Sequence, residues 1–534
     1  MKKLITSITL IALFGTFTNA QATSFITLEN NNTVADLNNT GFIYHDAQNE
    51  DQGLEFPKNS EQFMMYSSAF WFYGQASDGL IGLSAQTSSS DGYDQFPGPY
   101  SNNNSYNNQA YQNEYGSMIW VVERSTIDYH IANYNNSNYT ISASILDWPA
   151  HGDPSLGVSE NLAPFVDVDN NGIYEPENGD YPKIKGCIAA YFITNDDAET
   201  HDSNGSPMGI EMHYMIYQLS EFDDLNKSNF IDLTVYNRSD STHFDFTTSL
   251  FADADIGNYT DDYFGTDSTR NMMYFYNSTN DDTTYYIQDN QNNIIEEYQG
   301  YGKNPPAIGL TCLNHTLSSS AYMMWPGNNT DFLYPNTPVE HYNMMNSQTP
   351  NFLPWVDNNG NSTNFIFNGD PNNSNAWSEY AENETAGDRA GIMTVKNGDF
   401  SPQDTISLAY AIVIERGNSN LNSVTQLIGK VDEIRQLYNA GSLSSCPEDA
   451  SITVNENNKN IAVYPNPIND VLNIEIQNID QYSYKITSSK GQLIKDGDVK
   501  HRNKILNLNN YPPGVYFLKI WNNDSVNTFK IIKN

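Results

Sequence analysis

The sequence predicts an all-β protein: a β-sandwich-rich body with one helix near its C-terminal end, followed by a small antiparallel sandwich. Three observations carry this reading. Most segments alternate apolar and polar residues with period two between Gly, Asn, Asp and Pro, as in Gly209 to Gln218, Asn229 to Tyr236 and Thr405 to Ile414. One stretch has the helical period instead: Val424, Leu427, Ile428, Val431, Ile434 and Leu437 share a face, Ser423 can cap its start and Gly441 its end. Aromatic residues make up 13% of the 534, enough apolar area for sizeable cores in what a prior of ~100 to 200 residues per domain makes roughly two to four domains.

In chain order, Lys2 and Lys3 precede an apolar run from Leu4 to Phe17 and the small-residue pattern Ala20-Gln21-Ala22. This is the tripartite layout of a secretory signal peptide over residues 1–22. The run falls short of the ~20 residues a spanning helix needs, and no second long apolar stretch follows, so no transmembrane segment is expected. An acidic β-rich body is expected over 23–445, with long loops of Asn, Ser and Tyr and no internal repeat, then a polar linker over 446–460 and a last module over 461–534.

Charge divides along the same lines. The last 74 residues hold nine Lys and Arg against six Asp and Glu, whereas residues 23–460 hold 14 basic against 58 acidic, a net of −44. Such a body repels phosphate backbones and anionic lipid, which excludes nucleic acid as a partner, and it attracts divalent cations. Three cysteines, Cys187, Cys312 and Cys446, allow one disulfide at most, and each reads first as a small buried hydrophobe.

The sharpest chemical feature of the body is Asp167-Val168-Asp169-Asn170-Asn171-Gly172-Ile173-Tyr174-Glu175, followed by Gly179-Asp180. Side-chain oxygens at positions one, three and five, a glycine at six and a carbonyl at seven are what a calcium loop needs. Asp167, Asp169, Asn171, Ile173 through its carbonyl, Glu175 and Asp180 are the candidate ligands of a structural Ca2+. The loop departs from an EF-hand in having Asn178 at position twelve and no flanking helices, and an acidic turn with Asx caps is the alternative. A second acidic run supplies Asp253, Asp255, Asp261 and Asp262 as a weaker candidate cation site, against a solvated loop. Asp357-Asn358-Asn359-Gly360 reads as a plain turn.

No nucleophile elbow, zinc-binding His-Glu-x-x-His or phosphate loop occurs. His151 beside Asp153, and Glu199 near His201 and Asp202, offer a base with an orienting partner, yet isolated pairs of this kind are expected by chance in so acidic a chain. A carboxylate pair for glycoside hydrolysis has no fixed sequence spacing. Trp71, Tyr73, Trp120, Trp325, Trp355 and Trp377 are the aromatics available to stack on sugar rings or to fill the cores.

In the last module Leu472, Ile474 and Ile476 face one way and Asn473 and Glu475 the other, and about seven short strands fit the spacing of a small sandwich. Tyr464-Pro465-Asn466-Pro467, the Lys490-Gly491-Gln492 turn, Pro513-Gly514-Val515-Tyr516-Phe517-Leu518-Lys519 and the closing Phe529-Lys530-Ile531-Ile532-Lys533 stand in order. With these motifs the module resembles the type A sorting domain of Bacteroidota type IX secretion. The resemblance implies an immunoglobulin-like sandwich, recognition by the type IX secretion machinery, removal by a sortase-like peptidase and, for many cargoes, attachment to anionic lipopolysaccharide. Asp147-Trp148-Pro149-Ala150-His151-Gly152-Asp153, Leu162-Ala163-Pro164-Phe165, Asp253 to Asp262 and Gly302-Lys303-Asn304-Pro305-Pro306-Ala307 resemble stretches of large secreted proteins with the same sorting domain, which imply no mechanism. The expectation is an exported surface or extracellular protein with a calcium-stabilised body and a binding, adhesion or matrix role, on glycans among other partners. The alternative is a secreted hydrolase of polysaccharide.

Overall fold

The computed structural model describes residues 23–220, 224–325, 333–443, 446, 461–476, 482–488, 493–499, 502–509, 511–521 and 526–533. The expected signal peptide and most of the expected linker lie outside them. The chain divides into two compact units, Met1–Cys446 and Pro447–Asn534. Among the described residues no helix is long and apolar enough to cross a membrane.

The first unit is built on two large antiparallel sheets. One has ten strands, and along its main path run Ser319–Trp325, Asp388–Phe400, His243–Ala254, Ser67–Gln75 and four shorter strands. The other has nine, with Ile188–Asn195, Ile210–Gln218, Ser228–Asn237, Thr405–Glu415, Ala307–Cys312, Met272–Asn277 and Asp262–Asp267 in spatial order after the short Phe96–Pro97. Inward residues of both sheets form one core, in which the Phe70 ring lies 6.0 Å from Tyr214 and 5.3 Å from Tyr410. Such contacts between facing sheets are the main apolar stabilisation of a sandwich.

The nine-stranded sheet is covered on its second face as well. Tyr191, Tyr217, Phe230 and Val413 pack there with Val424, Leu427, Val431 and Ile434 of the helix Asn420–Asn439. Leu427 sits so close to Gly309 that a Cβ added there would meet it at 3.1 Å. Away from the helix, Ile210–Gln218 lies under the connection that carries Tyr100 and Tyr111, and every one of its residues is buried, including Glu211 and His213 on the polar beat of the alternation. Burial of polar groups needs partners, and here Glu211 pairs with Arg238 at 2.6 Å and with His213 at 2.8 Å, while Tyr191 shares a 2.6 Å hydrogen bond with His213.

The expected helix forms, with its start four residues earlier than the Ser423 cap places it. Ser419 is the cap, its hydroxyl accepting from the Asn422 N–H at 3.1 Å, while the Ser423 hydroxyl is buried and donates to the Pro305 carbonyl at 2.7 Å. Gly441 ends it in the left-handed region, φ 69°. Helices Arg124–Asn133 and Pro338–Met345 add to it. The first buries only Ile127 and His130, too little apolar face to show as a period; the second opens on the capping box of Thr337 and Glu340 with Pro338 in its first turn.

Cys187 and Cys446 form a disulfide across 259 residues, so these two are not the small buried hydrophobes expected of them; Cys312 is, as a free buried thiol. The bond ties the end of the body to the residue before Ile188–Asn195.

The second unit is a small two-sheet sandwich of seven strands among its described residues. Ile461–Tyr464, Val471–Ile476 and Asn503–Asn507 make one sheet, and Leu493–Val499, Tyr482–Ser488, Gly514–Trp521 and Val526–Lys533 the other. Leu472, Ile474 and Ile476 point into its core beside Ile486, Leu518 and Ile531.

Candidate functional site

Strand pairing creates the most unusual group of side chains in the body. His243–Ala254 runs antiparallel to Asp388–Phe400 with Asp253 opposite Ala390 and Ala254 opposite Arg389. The same register carried one residue further sets Asp255 opposite Asp388. Residues two apart on a strand share a face, and opposed residues have Cβ atoms about 5 Å apart. Asp253, Asp255 and Asp388 thus fall together, with a carboxylate oxygen from each within 4.8 Å of the others.

Burial makes this costly. Asp255 is 6% exposed. One oxygen of Asp253 accepts from the Tyr334 hydroxyl at 3.0 Å and one of Asp255 from the Gln52 amide at 3.0 Å. The remaining Oδ1 of Asp253 and the Oδ1 of Asp388 are shielded from water and, among the described residues, reached by no donor. Burial, with the neighbouring carboxylates adding to it, pushes Asp388 up to about 9; burial pushes Asp253 up to about 6 and Asp255 well above its usual range. The adjacent cation relieves them only in part: Arg389 lowers the Asp388 pKa, but it is on the other side of the strand, buried, with two guanidinium nitrogens on one oxygen of Glu379 at 3.0 and 3.1 Å.

Two cavities adjoin the group. One, of about 610 Å3, is walled by Tyr66, Asp94, Asp253, Tyr334, His341 and Asp388. The other, of about 1050 Å3, is walled by Tyr322, Trp355, Phe367, Trp377, Glu384 and Asp388, with exposed Leu353 and Val356 at its edge. Asp388 lines both.

The second acidic run is thus divided in space. Asp253 and Asp255 meet Asp388, whereas Asp261 and Asp262 group with Asp282: Asp261 accepts from the Asn277 amide at 2.6 Å, Asp262 from the Ile256 N–H at 3.0 Å, and Asp282 from the Tyr301 N–H at 2.6 Å. Asp388 was not legible as a partner, since only the register joins residues 135 positions apart.

In the Asp167 loop, Asp167 accepts from the N–H groups of Asn170 and Gly172, each at 2.7 Å, which holds its carboxyl below the usual range. Asn170 and Gly172 adopt positive φ, 60° and 82°. The Asn171 amide donates to Asp169 at 3.2 Å and to Glu175 at 2.5 Å, and its oxygen accepts from the Ile173 N–H at 2.7 Å. Asp180 is buried and clasps the two ends of the loop, one oxygen on the Val168 N–H at 2.8 Å and the other on the Glu175 N–H at 3.0 Å.

The histidine pairs are structural. His151 joins the Glu160 carbonyl and the Tyr174 N–H, and Asp153 caps Ser155. His201 is buried with both ring nitrogens on carbonyls, those of Leu83 and Asp196; although burial opposes its charge, Asp196 and Asp94 raise its pKa. Of the aromatics, Trp71, Tyr73 and Trp120 belong to the cores, Trp355 and Trp377 reach a cavity, and the Trp325 side chain lies outside the described residues.

Comparison with known proteins bears mainly on the C-terminal unit. Residues 462–534 match the family described as the secretion system C-terminal sorting domain. The chain therefore carries a type IX sorting tail, which engages the secretion machinery, and the protein is secreted or displayed at the cell surface. No curated protein matches. Among solved structures, a DUF3244 family protein from Bacteroides vulgatus with an immunoglobulin-like β-sandwich is 21% identical, covering 14% of this chain and 86% of that one, with a TM-score of 0.13. Latent PorU from Porphyromonas gingivalis is 9% identical over 65% of this chain and 31% of that one, TM-score 0.12, and a polysaccharide lyase is 9% identical over 60% and 34%, TM-score 0.17.

Proposed function

We propose that the body is a glycan-binding module of the cell surface or extracellular matrix, stiffened by calcium in the Asp167 to Asp180 loop. The observation that carries this reading is the aromatic cavity. Sugar rings stack on aromatic faces while carboxylates accept from their hydroxyls, and the half-buried Trp377, backed by the buried Tyr322 and Trp355, stands beside Glu384 and Asp388 in a space of about 1050 Å3. In the loop, the Asn171 amide lies between the carboxylates of Asp169 and Glu175, where a cation would draw the same oxygens together. In this reading a sortase-like peptidase removes the sorting domain within 446–460 and the body is attached to anionic lipopolysaccharide at the cleaved end, a link that does not rest on charge attraction.

A second reading, a polysaccharide hydrolase, has one observation in its favour. Asp388 lines the aromatic cavity, and in the metal-free protein burial pushes its pKa up to about 9, so in that state it carries the proton a general acid needs. One experiment tests both. Purified full-length protein is run through gels containing β-glucan, xylan, chitin or alginate, and the same polymers are assayed for new reducing ends. The binding reading expects retardation by at least one polymer, lost in Trp377→Ala, with no cleavage. Cleavage abolished by Asp388→Asn supports the hydrolase, and neither retardation nor cleavage removes both.

A further inference from the structure

We propose that Asp253, Asp255 and Asp388 together hold a divalent cation, calcium by its donor set, beside the two cavities. The proposal stands on different residues from the Asp167 loop and does not depend on the glycan reading.

Geometry comes first. Two oxygens bound to one calcium at about 2.4 Å can lie at most about 4.8 Å apart, and the three carboxylates meet that limit. Magnesium, at about 2.1 Å with rigid octahedral demands, needs a tighter set, and zinc prefers nitrogen and sulfur ligands, which are absent from the group. Three carboxylates supply between three and six oxygens. Calcium takes six to eight, and the roughly 610 Å3 cavity that Asp253 and Asp388 line has room for water to complete the shell.

The orphaned oxygens are a second, independent sign. The great majority of buried polar atoms are satisfied, yet among the described residues the shielded Oδ1 atoms of the half-buried Asp253 and Asp388 have no donor. Opposed like charges also weaken a strand pair, and this pair joins two long neighbouring strands of the ten-stranded sheet. Among the described residues Tyr334 and Gln52 donate to the group, Arg389 is held by Glu379, and His341, which lines the same cavity, has its Nδ1 on the Thr337 carbonyl. A cation resolves all three features at once.

The test uses the full chain, stripped with chelator and titrated with calcium in a calorimeter, with terbium(III) as a luminescent probe sensitised through Tyr334. Parent, Asp169→Ala and Asp388→Asn proteins are compared. The parent is expected to bind one more calcium than Asp388→Asn, and that difference persists when Asp169→Ala is added. Asp388→Asn should melt at or above the parent in chelator, since a repulsion is gone, and below it in saturating calcium. Equal stoichiometry in parent and Asp388→Asn, or a variant that melts higher by the same margin with and without calcium, overturns the proposal. If Asp388→Asn does not fold, Asp255→Asn is read in the same way.

Discussion

Replacing Cys446 by serine removes the constraint that closes the largest loop in the body. In the chain-entropy description, a cross-link spanning 259 residues removes about 5.5 kcal/mol of conformational freedom from the unfolded state, and measured losses for native disulfides run at roughly 2 to 5 kcal/mol. The native side of the balance changes little. Cys187 keeps its backbone N–H on the Gln218 carbonyl at 2.9 Å and its carbonyl on the Arg124 N–H at 2.8 Å, so the strand it precedes stays anchored. Cys446→Ser should therefore lower the unfolding free energy by about 2 to 5 kcal/mol, and reducing agent should lower the parent by the same amount and leave the variant unchanged. Denaturant melts of the full chain with and without reductant measure this, alongside a thiol titration in denaturant that should count one free thiol, Cys312, in the oxidised parent. Three free thiols in the exported protein, or a loss under 0.5 kcal/mol (about the spread of surface substitutions), would refute the reasoning.

Other outcomes follow from buried charges and from the tail. Arg389→Met leaves Glu379 buried without its partner and should cost about 3 to 5 kcal/mol, with Glu379→Gln in the same chain recovering part of it; a single variant as stable as the parent contradicts a committed ion pair. Asp282 has its pKa raised by burial from the usual 3.8 to about 6. The folded state then holds its proton more tightly than the unfolded state, so stability is highest below the unfolded value and falls by about 3 kcal/mol as pH climbs from about 4 through about 6. Melts in chelator across that window should slope downward with pH, and Asp282→Asn should lessen the slope without abolishing it, since Asp253, also raised to about 6, titrates in the same window. Calcium should raise the melting temperature of the parent more than that of Asp169→Ala, and an equal response leaves the Asp167 loop as an acidic turn. Mass spectrometry of exported protein should find a C-terminus between Cys446 and Asn460, and an intact Asn534 counts against removal of the tail.

How far the sequence could be read depends on whether the informative contact is local. The apolar face and end of the helix, the alternation of Leu472, Ile474 and Ile476, and the left-handed Gly441 are set by neighbours within a few residues, and each stands as the pattern places it. The Ser423 cap is displaced to Ser419 because a distant carbonyl, that of Pro305, takes the Ser423 hydroxyl. Glu211 and His213 keep the polar beat of a strand with one wet face, yet they are buried, because the long connection through Tyr100 closes over that face. The acidic run around Asp253 announces a charged site, while its third member, Asp388, comes from a strand 135 positions away and is fixed only by register. The Cys187–Cys446 pairing is likewise a product of the tertiary fold.

Deletion of Tyr511 to Asn534 tests the central claim, that the C-terminal sandwich carries the protein out of the cell. The deletion removes Gly514–Trp521 and Val526–Lys533, two of the four strands of one sheet, and with them Leu518, Ile520 and Ile531 from the core. Surface labelling and fractionation of cells expressing the full and shortened chains should find the full chain outside and the shortened chain held in the periplasm. A shortened chain that reaches the exterior in normal amount contradicts the account.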